Sequence, residues 1–290
     1  LREQDVPYIC LNPGASYRGL HDSIVNYLGN KAPQIIVCMH EEHAVAMAHG
    51  YATVTGRPLA AVVHSNVGLM HASMAVFNAW CNRMPVVLLG GIGPMDAAKR
   101  RPWIDWIHTC ADQGGLVRGY TKWDDQPGSP VAAVESIRRG FTIARSRPAG
   151  PVYINLDSEM QETEMAEWPA LEDVSRYQPA PDNAPAPETV ADAVKALAKA
   201  KRPLILSGRV SRSQEGWDAR VKFAEYTGAK VLTSLKDAAS FPTSHPLYVG
   251  ETGWKLRPSL VELVKKADVI VALDWVDPAG TIQQAFPPGS

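Results

Sequence analysis

The 290-residue sequence has little cysteine, no excess of charge of either sign and no long apolar run. Its four cysteines, Cys10, Cys38, Cys81 and Cys110, are far apart and show no C-x-x-C spacing. Cys10 and Cys38 lie within strand-like runs, so buried free thiols in a reducing cytoplasm are expected rather than disulfides. A net charge of −1 leaves no electrostatic footprint for nucleic acid or an anionic membrane. No apolar stretch approaches the roughly 18–20 residues of a membrane span, and no secretory signal opens the chain. Neither a nucleic acid nor a membrane is therefore an expected partner. Hydrophobic content of 46% and charged content of 20% fit an ordinary globular protein. At this length two domains are expected, at ~100–200 residues each.

Several motifs are also missing. No G-x-S-x-G occurs, which excludes a serine nucleophile elbow of the hydrolase kind. No G-x-G-x-x-G follows the strand-like run 203–207, where Ser207-Gly208-Arg209-Val210-Ser211 stands instead. A phosphate-cradling dinucleotide site is not expected there. There is no internal repeat and no low-complexity tract.

What is present alternates. Residues 7–11, 34–38, 59–64, 85–90 and 150–155 are short apolar runs read as strands. Between them, 20–28, 41–55, 69–80 and 131–145 carry apolar residues at helical spacing, with 65–68 an exit turn and 91–125 irregular. Strands that are almost wholly apolar argue for a parallel sheet covered on both faces. An acidic, proline-rich stretch follows and is read as a linker over 158–187. A second unit then repeats the alternation. Its helices are expected at 188–200, 215–228 and 256–266, and its strands at 203–207, 230–233 and 268–273. The expected fold class is α/β, with two consecutive doubly wound parallel-sheet domains over 1–157 and 188–290. Leu1 opens in what reads as the tail of a helix, and the sequence ends shortly after a strand, so a piece of a longer chain is expected.

The stretch 39–51 concentrates chemistry. Glu41 and Glu42 sit where an apolar strand hands over to a helix rich in alanine, Ala44 and Ala48 among its residues. A first-turn carboxylate gains about 0.3–1 kcal/mol from the helix dipole, the ordinary explanation for such a residue. His40-Glu41-Glu42-His43 invites a zinc reading, but the metalloprotease spacing requires histidine at the position held by Ala44, and His49 cannot complete it. His64-Ser65 ends a strand, where ligand sites open in α/β sheets, and His64 there is as readily structural as catalytic. Gly90-Gly91-Ile92-Gly93-Pro94 reads as a tight turn.

Taken in order, Asn12-Pro13-Gly14, His40-Glu41, Gly50-Tyr51-Ala52, His64-Ser65, Asn78-Ala79-Trp80, Pro85-Val86-Val87 and Gly150-Pro151-Val152 resemble the thiamine diphosphate-dependent decarboxylases and carboligases. That family includes acetolactate synthase and benzoylformate decarboxylase. Lys201-Arg202-Pro203, Ser207-Gly208, Phe241-Pro242 and His245-Pro246-Leu247 extend the resemblance through the second unit. It implies an N-terminal pyrimidine-binding domain followed by a Rossmann-like central domain, here incomplete at its C-terminus. It further implies that Glu41 hydrogen-bonds a ring nitrogen of the cofactor and so favours formation of the C2 ylid that attacks a 2-oxo acid. A desolvated carboxyl can have its pKa raised by up to ~3–5 units, which would let Glu41 share a proton with the ring. Glu42, one position on, is expected at the surface.

By the same resemblance Asn12, Pro13, Gly14 and Asn78 are cofactor-binding candidates, and His64 is a proton shuttle. Ala15, Ser16, Ser65 and His71 are candidate substrate contacts. Ala15 stands where the benzoylformate enzyme carries serine, and His71 where both comparison enzymes carry asparagine, so the substrate does not transfer. The family holds the diphosphate and Mg²⁺ through a Gly-Asp-Gly segment of a third, C-terminal domain, and no such segment occurs here. The metal ligands therefore have no candidate. The implied reaction is non-oxidative decarboxylation of a 2-oxo acid with possible carboligation. Acetolactate synthase-like carboligation or acyloin lysis is the alternative, and a non-catalytic scaffold or one subunit of a split enzyme a further one. An active site between chains implies a homodimer or homotetramer acting on a small 2-oxo acid or aldehyde.

Overall fold

Short strands free of charge build the first sheet: β1 (Tyr8–Leu11), β2 (Gln34–Val37), β3 (Leu59–Val63), β4 (Val86–Ile92), β5 (Asp124–Asp125) and β6 (Val152–Asp157). Only the two-residue β5 and the last residue of β6 depart from that rule. Every pairing is parallel, in the order β2-β1-β3-β4-β6-β5. All residues of β3, β4 and β6 are buried, as expected for strands covered on both faces. The computed structural model describes residues 1–167, 170, 173–181 and 184–287. The chain divides into two units, Leu1–Asp182 and Asn183–Ser290, and each is taken by itself.

In the first unit the helices are α1 (Arg18–Asp22), α2 (Glu41–Thr55), α3 (Ser65–Cys81), α4 (Ile104–Ile107), α5 (Pro130–Arg145) and α6 (Ser158–Glu162). The chain leaves β1 for β2 on one side, then returns to β3 on the other. The carboxyl ends of β1 and β3 therefore diverge, and a crevice opens where their loops part. Helix α2 begins at His40, whose ring accepts the Glu42 N–H at 3.2 Å, and ends on Gly56 at φ 69°. That angle favours glycine at a helix terminus. Its buried face, Glu41, Ala44, Val45, Ala48 and Ala52, meets the equally small-residued face of α3. Alanine on both sides brings the helix backbones close, so one added methylene group would cost about 1–3 kcal/mol.

Four local expectations are corrected. Residues 65–68 are the first turn of α3 and not an exit turn, because Ser65 begins the helix immediately after His64. Gly90, Gly91 and Ile92 belong to β4 and not to a turn. Glycine is required there by packing: a Cβ on Gly90 would run into the Tyr153 phenol, and one on Gly91 into the backbone of Ser16. The helix expected over 20–28 is an α-turn, α1, running on into a π-helical segment, Ser23–Tyr27. The stretch expected as linker carries α6, whose N-terminus is capped by the Asp157 carboxylate, and a 3₁₀ turn at Val174–Tyr177. That turn packs on α5, with the Thr142 hydroxyl donating to the Tyr177 carbonyl at 2.7 Å. Residues 168, 169, 171, 172, 182 and 183 of the expected linker, and the domain end at 288–290, lie outside the described residues.

The second unit has helices α7 (Pro187–Lys199), α8 (Gln214–Thr227), α9 (Pro258–Lys266) and α10 (Pro278–Gln283). Its strands β7 (Pro203–Ser207), β8 (Lys230–Thr233), β9 (Tyr248–Glu251) and β10 (Val269–Leu273) form a parallel sheet ordered β10-β7-β8-β9. The two consecutive parallel sheets agree with the expected α/β class. Strand β9 and helix α10 are additions: β9 is four residues long and half-buried, too short for its pattern to stand out. α10 is held by the Asp277 cap on the Gly280 N–H and by the Trp275 indole N–H donating to Thr281 at 2.9 Å.

Candidate active site

Three chain segments converge at the β1/β3 crevice. The first is the loop after β1. The Tyr17 hydroxyl donates to the Asn12 carbonyl, which fixes the loop from below, and burial pushes the Tyr17 pKa up so that it stays a donor. Asn12 and Gly14 are half-buried while Pro13 and Ala15 are exposed. Gly14 is required by close approach, since a Cβ there would stand 2.5 Å from the His64 ring.

The second segment is the junction of β3 with α3. Ser16 Oγ lies 2.9 Å from His64 Nδ1 and accepts the Ser65 N–H at 3.0 Å. One buried hydroxyl thus ties the β1 loop to the start of α3. Ser65 itself is fully buried and held at φ 37°, a left-handed conformation that costs a non-glycine residue of order 1–3 kcal/mol. The His64 ring sits 4.8 Å from that of His108, whose Nδ1 donates to the Ile104 carbonyl at 2.8 Å. Burial, then the neighbouring His108, lowers the His64 pKa, against an upward pull from Glu41. His64 is therefore a neutral imidazole near pH 7.

The third segment is the start of α2. Glu41 is 4% exposed, whereas Glu42 is at the surface as expected. The Glu41 carboxylate hydrogen-bonds the Asn12 side chain and lies 3.3 Å from His71 Nδ1. Gly68 faces it without a side chain; a Cβ there would stand 2.9 Å from Glu41 Oε1. The raised pKa expected for this buried carboxyl is corrected. Burial is the largest single influence and does act upward. The N–H of Glu41 itself at the helix terminus, the Asn12 amide and His71 together outweigh it, and the carboxyl lies below its ordinary value.

Of the residues singled out in the sequence, Asn12, Gly14, Ser16, Glu41, His64, Ser65 and His71 meet here. Asn78 does not join them. It lies ten residues beyond Gly68 on α3, about 15 Å along the helix at 1.5 Å per residue. Ala15 points no polar atom into the group. Gly68, Tyr17 and His108 are not among the residues singled out in the sequence, and His40 is weighed there only as a motif member and a rejected zinc ligand. Gly68 and His71 share a helix face three residues apart, a visible signal. His108 sits in an irregular stretch with no period to mark it. The zinc motif excluded by spacing is distinct from what the fold assembles: His40, Glu41 and His71 hold ligand atoms within 4.8 Å of one another. That donor set, two imidazoles and one carboxylate, does not suit Mg²⁺, which prefers oxygen ligands. All four cysteines are free thiols, as expected. Among the described residues no helix is long and apolar enough to cross a membrane.

Residues 1–116 match the family model described as the N-terminal TPP binding domain of thiamine pyrophosphate enzymes, and residues 190–288 match that of their central domain. The acetolactate synthase large subunit of Corynebacterium glutamicum is 27% identical over 267 residues, covering 90% of this chain and 40% of that protein. Sulfoacetaldehyde acetyltransferase of Castellaniella defragrans is 27% identical over 261 residues, covering 87% of this chain and 40% of its own length. The crystal structure of benzoylformate decarboxylase from Polynucleobacter necessarius superposes with a TM-score of 0.77 at 22% identity, over 94% of this chain and 49% of that one. The chain thus spans about 40% of the length of these two curated relatives.

Proposed function

The chain belongs to the thiamine pyrophosphate enzyme family, and from that premise we propose that Glu41 is its carboxylate for the aminopyrimidine of thiamine diphosphate, in a protein that decarboxylates a 2-oxo acid. The observation that carries this reading is a buried carboxylate at the topological switch point, facing a glycine whose Cβ would obstruct it. A larger side chain at position 68 would push the Glu41 carboxylate out of the place from which it can meet a ring nitrogen. The backbone of Asn12, Pro13 and Gly14 closes the same crevice, while Asn78 stands too far along α3 to share it. When bound, the cofactor supplies a nucleophilic carbon and an electron sink for the carbanion left by CO₂ loss.

The residues of this chain supply proton handling. Glu41 is ionised before any ligand arrives, so a ring nitrogen that pairs with it would carry one proton taken from solvent, and Glu41 would accept the hydrogen bond from that N–H. His71, now touching Oε2, is half exposed and turns aside for the incoming ring. His64 is neutral and held by Ser16, the state required of a group that takes a proton from a substrate and then, as the imidazolium, gives it back. Ser16 and Ser65 are committed to each other, which leaves them to position His64 more than to grip a substrate.

Carboligation of the acetolactate synthase kind is the second reading, favoured by the 27% identity to that enzyme's large subunit. Acyloin lysis is a third outcome of the same site. Magnesium is part of the proposal only as a ligand of residues outside those described here. Assembly as a homodimer or homotetramer is proposed on the exposed apolar stripe of α3, Val67, Met70, Met74 and Phe77, which lies at helical spacing beside the site. A cytoplasmic location agrees with the free thiols.

The test is hydrogen–deuterium exchange at the cofactor C2 in the full-length protein carrying Glu41→Gln. Exchange is expected to slow by about 10²–10⁴-fold, the range of general acid–base catalysis. Exchange at the wild-type rate would remove Glu41 from this role. Product analysis with a panel of 2-oxo acids separates the readings: aldehyde release supports decarboxylation, and acetohydroxy acids support carboligation.

A further inference from the structure

The fold brings together a donor set that no single segment contains. His40 is the N-cap of α2, Glu41 its first residue, and His71 comes from the second turn of α3. The His40 and His71 rings are stacked, with centroids 4.8 Å apart and planes inclined by 19°. His71 Nδ1 lies 3.3 Å from Glu41 Oε2, and the ligand atoms of all three residues fall within 4.8 Å. Among the described residues this is the only such group of histidine, cysteine or carboxylate side chains. We propose that His40, Glu41 and His71 form a binding site for a transition-metal dication of the Zn²⁺, Ni²⁺ or Co²⁺ type.

The chemistry selects the class of ion. Two imidazoles and one carboxylate are the preferred donors of zinc and its first-row neighbours. Bonds of about 2.0–2.2 Å in a tetrahedral site place donors roughly 3.3–3.5 Å apart. Closing to that spacing needs only ring movement. His71 is half exposed and His40 partly so, while their backbones are fixed by the alanine contact between α2 and α3. The two hydrogen bonds given up are long ones, 3.2 Å from the Glu42 N–H to His40 and 3.3 Å between His71 and Glu41. Three protein ligands leave a fourth position open to water or a small molecule. The positive end of the α2 dipole opposes a cation at Glu41, which weakens the site without abolishing it.

The site stands on this geometry; a second consequence rests on the reading of Glu41 given above. One carboxylate cannot serve a metal and the pyrimidine together, so the metal and thiamine diphosphate are antagonists.

The experiment is a Co²⁺ titration of the full-length protein followed by its visible d–d absorption, with Zn²⁺ used to displace the cobalt. A single saturable site per chain is expected, with Mg²⁺ failing to compete. His71→Ala, His71→Asn and His40→Ala are each expected to weaken binding by at least about tenfold, the scale on which even groups that merely support ligands act. His43→Ala, an exposed neighbour whose ring lies 5.8 Å from His40, leaves binding unchanged. Circular dichroism and a thermal midpoint confirm that each variant is folded, and the two substitutions at position 71 guard against a single misfolded one. Absence of saturable binding, or equal affinity in the variants at 40 and 71, overturns the site. Adding thiamine diphosphate with Mg²⁺ to the cobalt-loaded protein distinguishes the two ideas. Retained cobalt alongside bound cofactor would refute the role of Glu41 toward the pyrimidine and leave the metal site standing.

Discussion

The two sheets are both parallel but differ in strand order and in use. In the first unit the β1/β3 switch point gathers Asn12, Glu41, His64 and Gly68. In the second, the equivalent point between β7 and β10 is shut, because Gly208 packs directly on the Asp274 backbone. Glycine admits a different neighbour in each place: Gly68 the Glu41 side chain, and Gly208 the Asp274 main chain. The carboxylates differ in the same sense. Glu41 is buried and fully partnered, with its pKa held low by hydrogen bonds. Asp237, beyond β8, has a buried oxygen with no hydrogen-bond partner, and burial raises its pKa despite the nearby Arg209 and Arg212. A parallel sheet therefore offers a site at each switch point, but hydrogen-bonded donors must be in place before a buried charge there can serve chemistry.

The strongest way to break that contrast is to crowd Glu41 from position 68. Alanine there would place a Cβ 2.9 Å from Glu41 Oε1 and 3.1 Å from its Cγ, so the carboxylate must move. Misplacement of a reacting group by about 1 Å can cost 10²-fold. Cofactor C2 exchange in Gly68→Ala is expected to fall by about 10–100-fold, with a stability loss of no more than about 1–3 kcal/mol. Gly208→Ala is the converse. Its Cβ would meet main-chain atoms that cannot turn aside, so a stability loss of about 1–3 kcal/mol is expected, with cofactor affinity unchanged. Chemical denaturation and cofactor titration of both variants check the pair. If Gly208→Ala weakened cofactor binding as much as Gly68→Ala, the second switch point could not be called closed.

These positions also mark what was legible in the sequence. Uniformly apolar strands such as 86–89 and 152–154 announced a covered parallel sheet, and their alternation with helices announced two such units. Glu41 and His64 drew attention because each opens the stretch after a strand, where side chains leave the sheet, and the family resemblance implied a role for each. Gly90 and Gly91 misled for the opposite reason: glycine signals a turn locally, while here Tyr153 and Ser16, 63 and 75 residues away in the chain, demand it. The low pKa of Glu41 was equally hidden. Burial could be anticipated from the alanine-rich face of α2, but the Asn12 and His71 contacts that reverse its effect join three segments distant in sequence. The His40–Glu41–His71 group escaped notice because motif reasoning searched one helix, and the third member stands on another.

A smaller effect sharpens the account of His64. Its folded-state pKa is lowered, so between that value and the unfolded value near 6.5 the unfolded chain binds more protons. Stability therefore rises with pH through this window, and it is lost as pH falls below about 6.5. His64→Gln keeps a polar group beside Ser16 but removes the titration. Denaturation midpoints measured from pH 8 to pH 5 are expected to decline less steeply in the variant. Identical slopes would show that His64 carries no burial penalty.

Asp237 gives the smallest effect and the opposite sign. Its folded-state pKa is raised above the unfolded value of about 3.9, so the unfolded chain releases its proton first as pH increases. The charged form is then penalised in the folded state, and the penalty is complete once pH exceeds the raised folded value. Asp237→Asn removes the charge while keeping the shape, so it is expected to raise the denaturation midpoint at pH 7, with the gain shrinking toward pH 4. Glu41→Gln in the same assay should bring no such gain at pH 7, since that carboxylate is held by hydrogen bonds an amide cannot all replace. A stabilised Glu41→Gln beside an unchanged Asp237→Asn would invert the comparison, making the first carboxylate the strained one and the second the satisfied one.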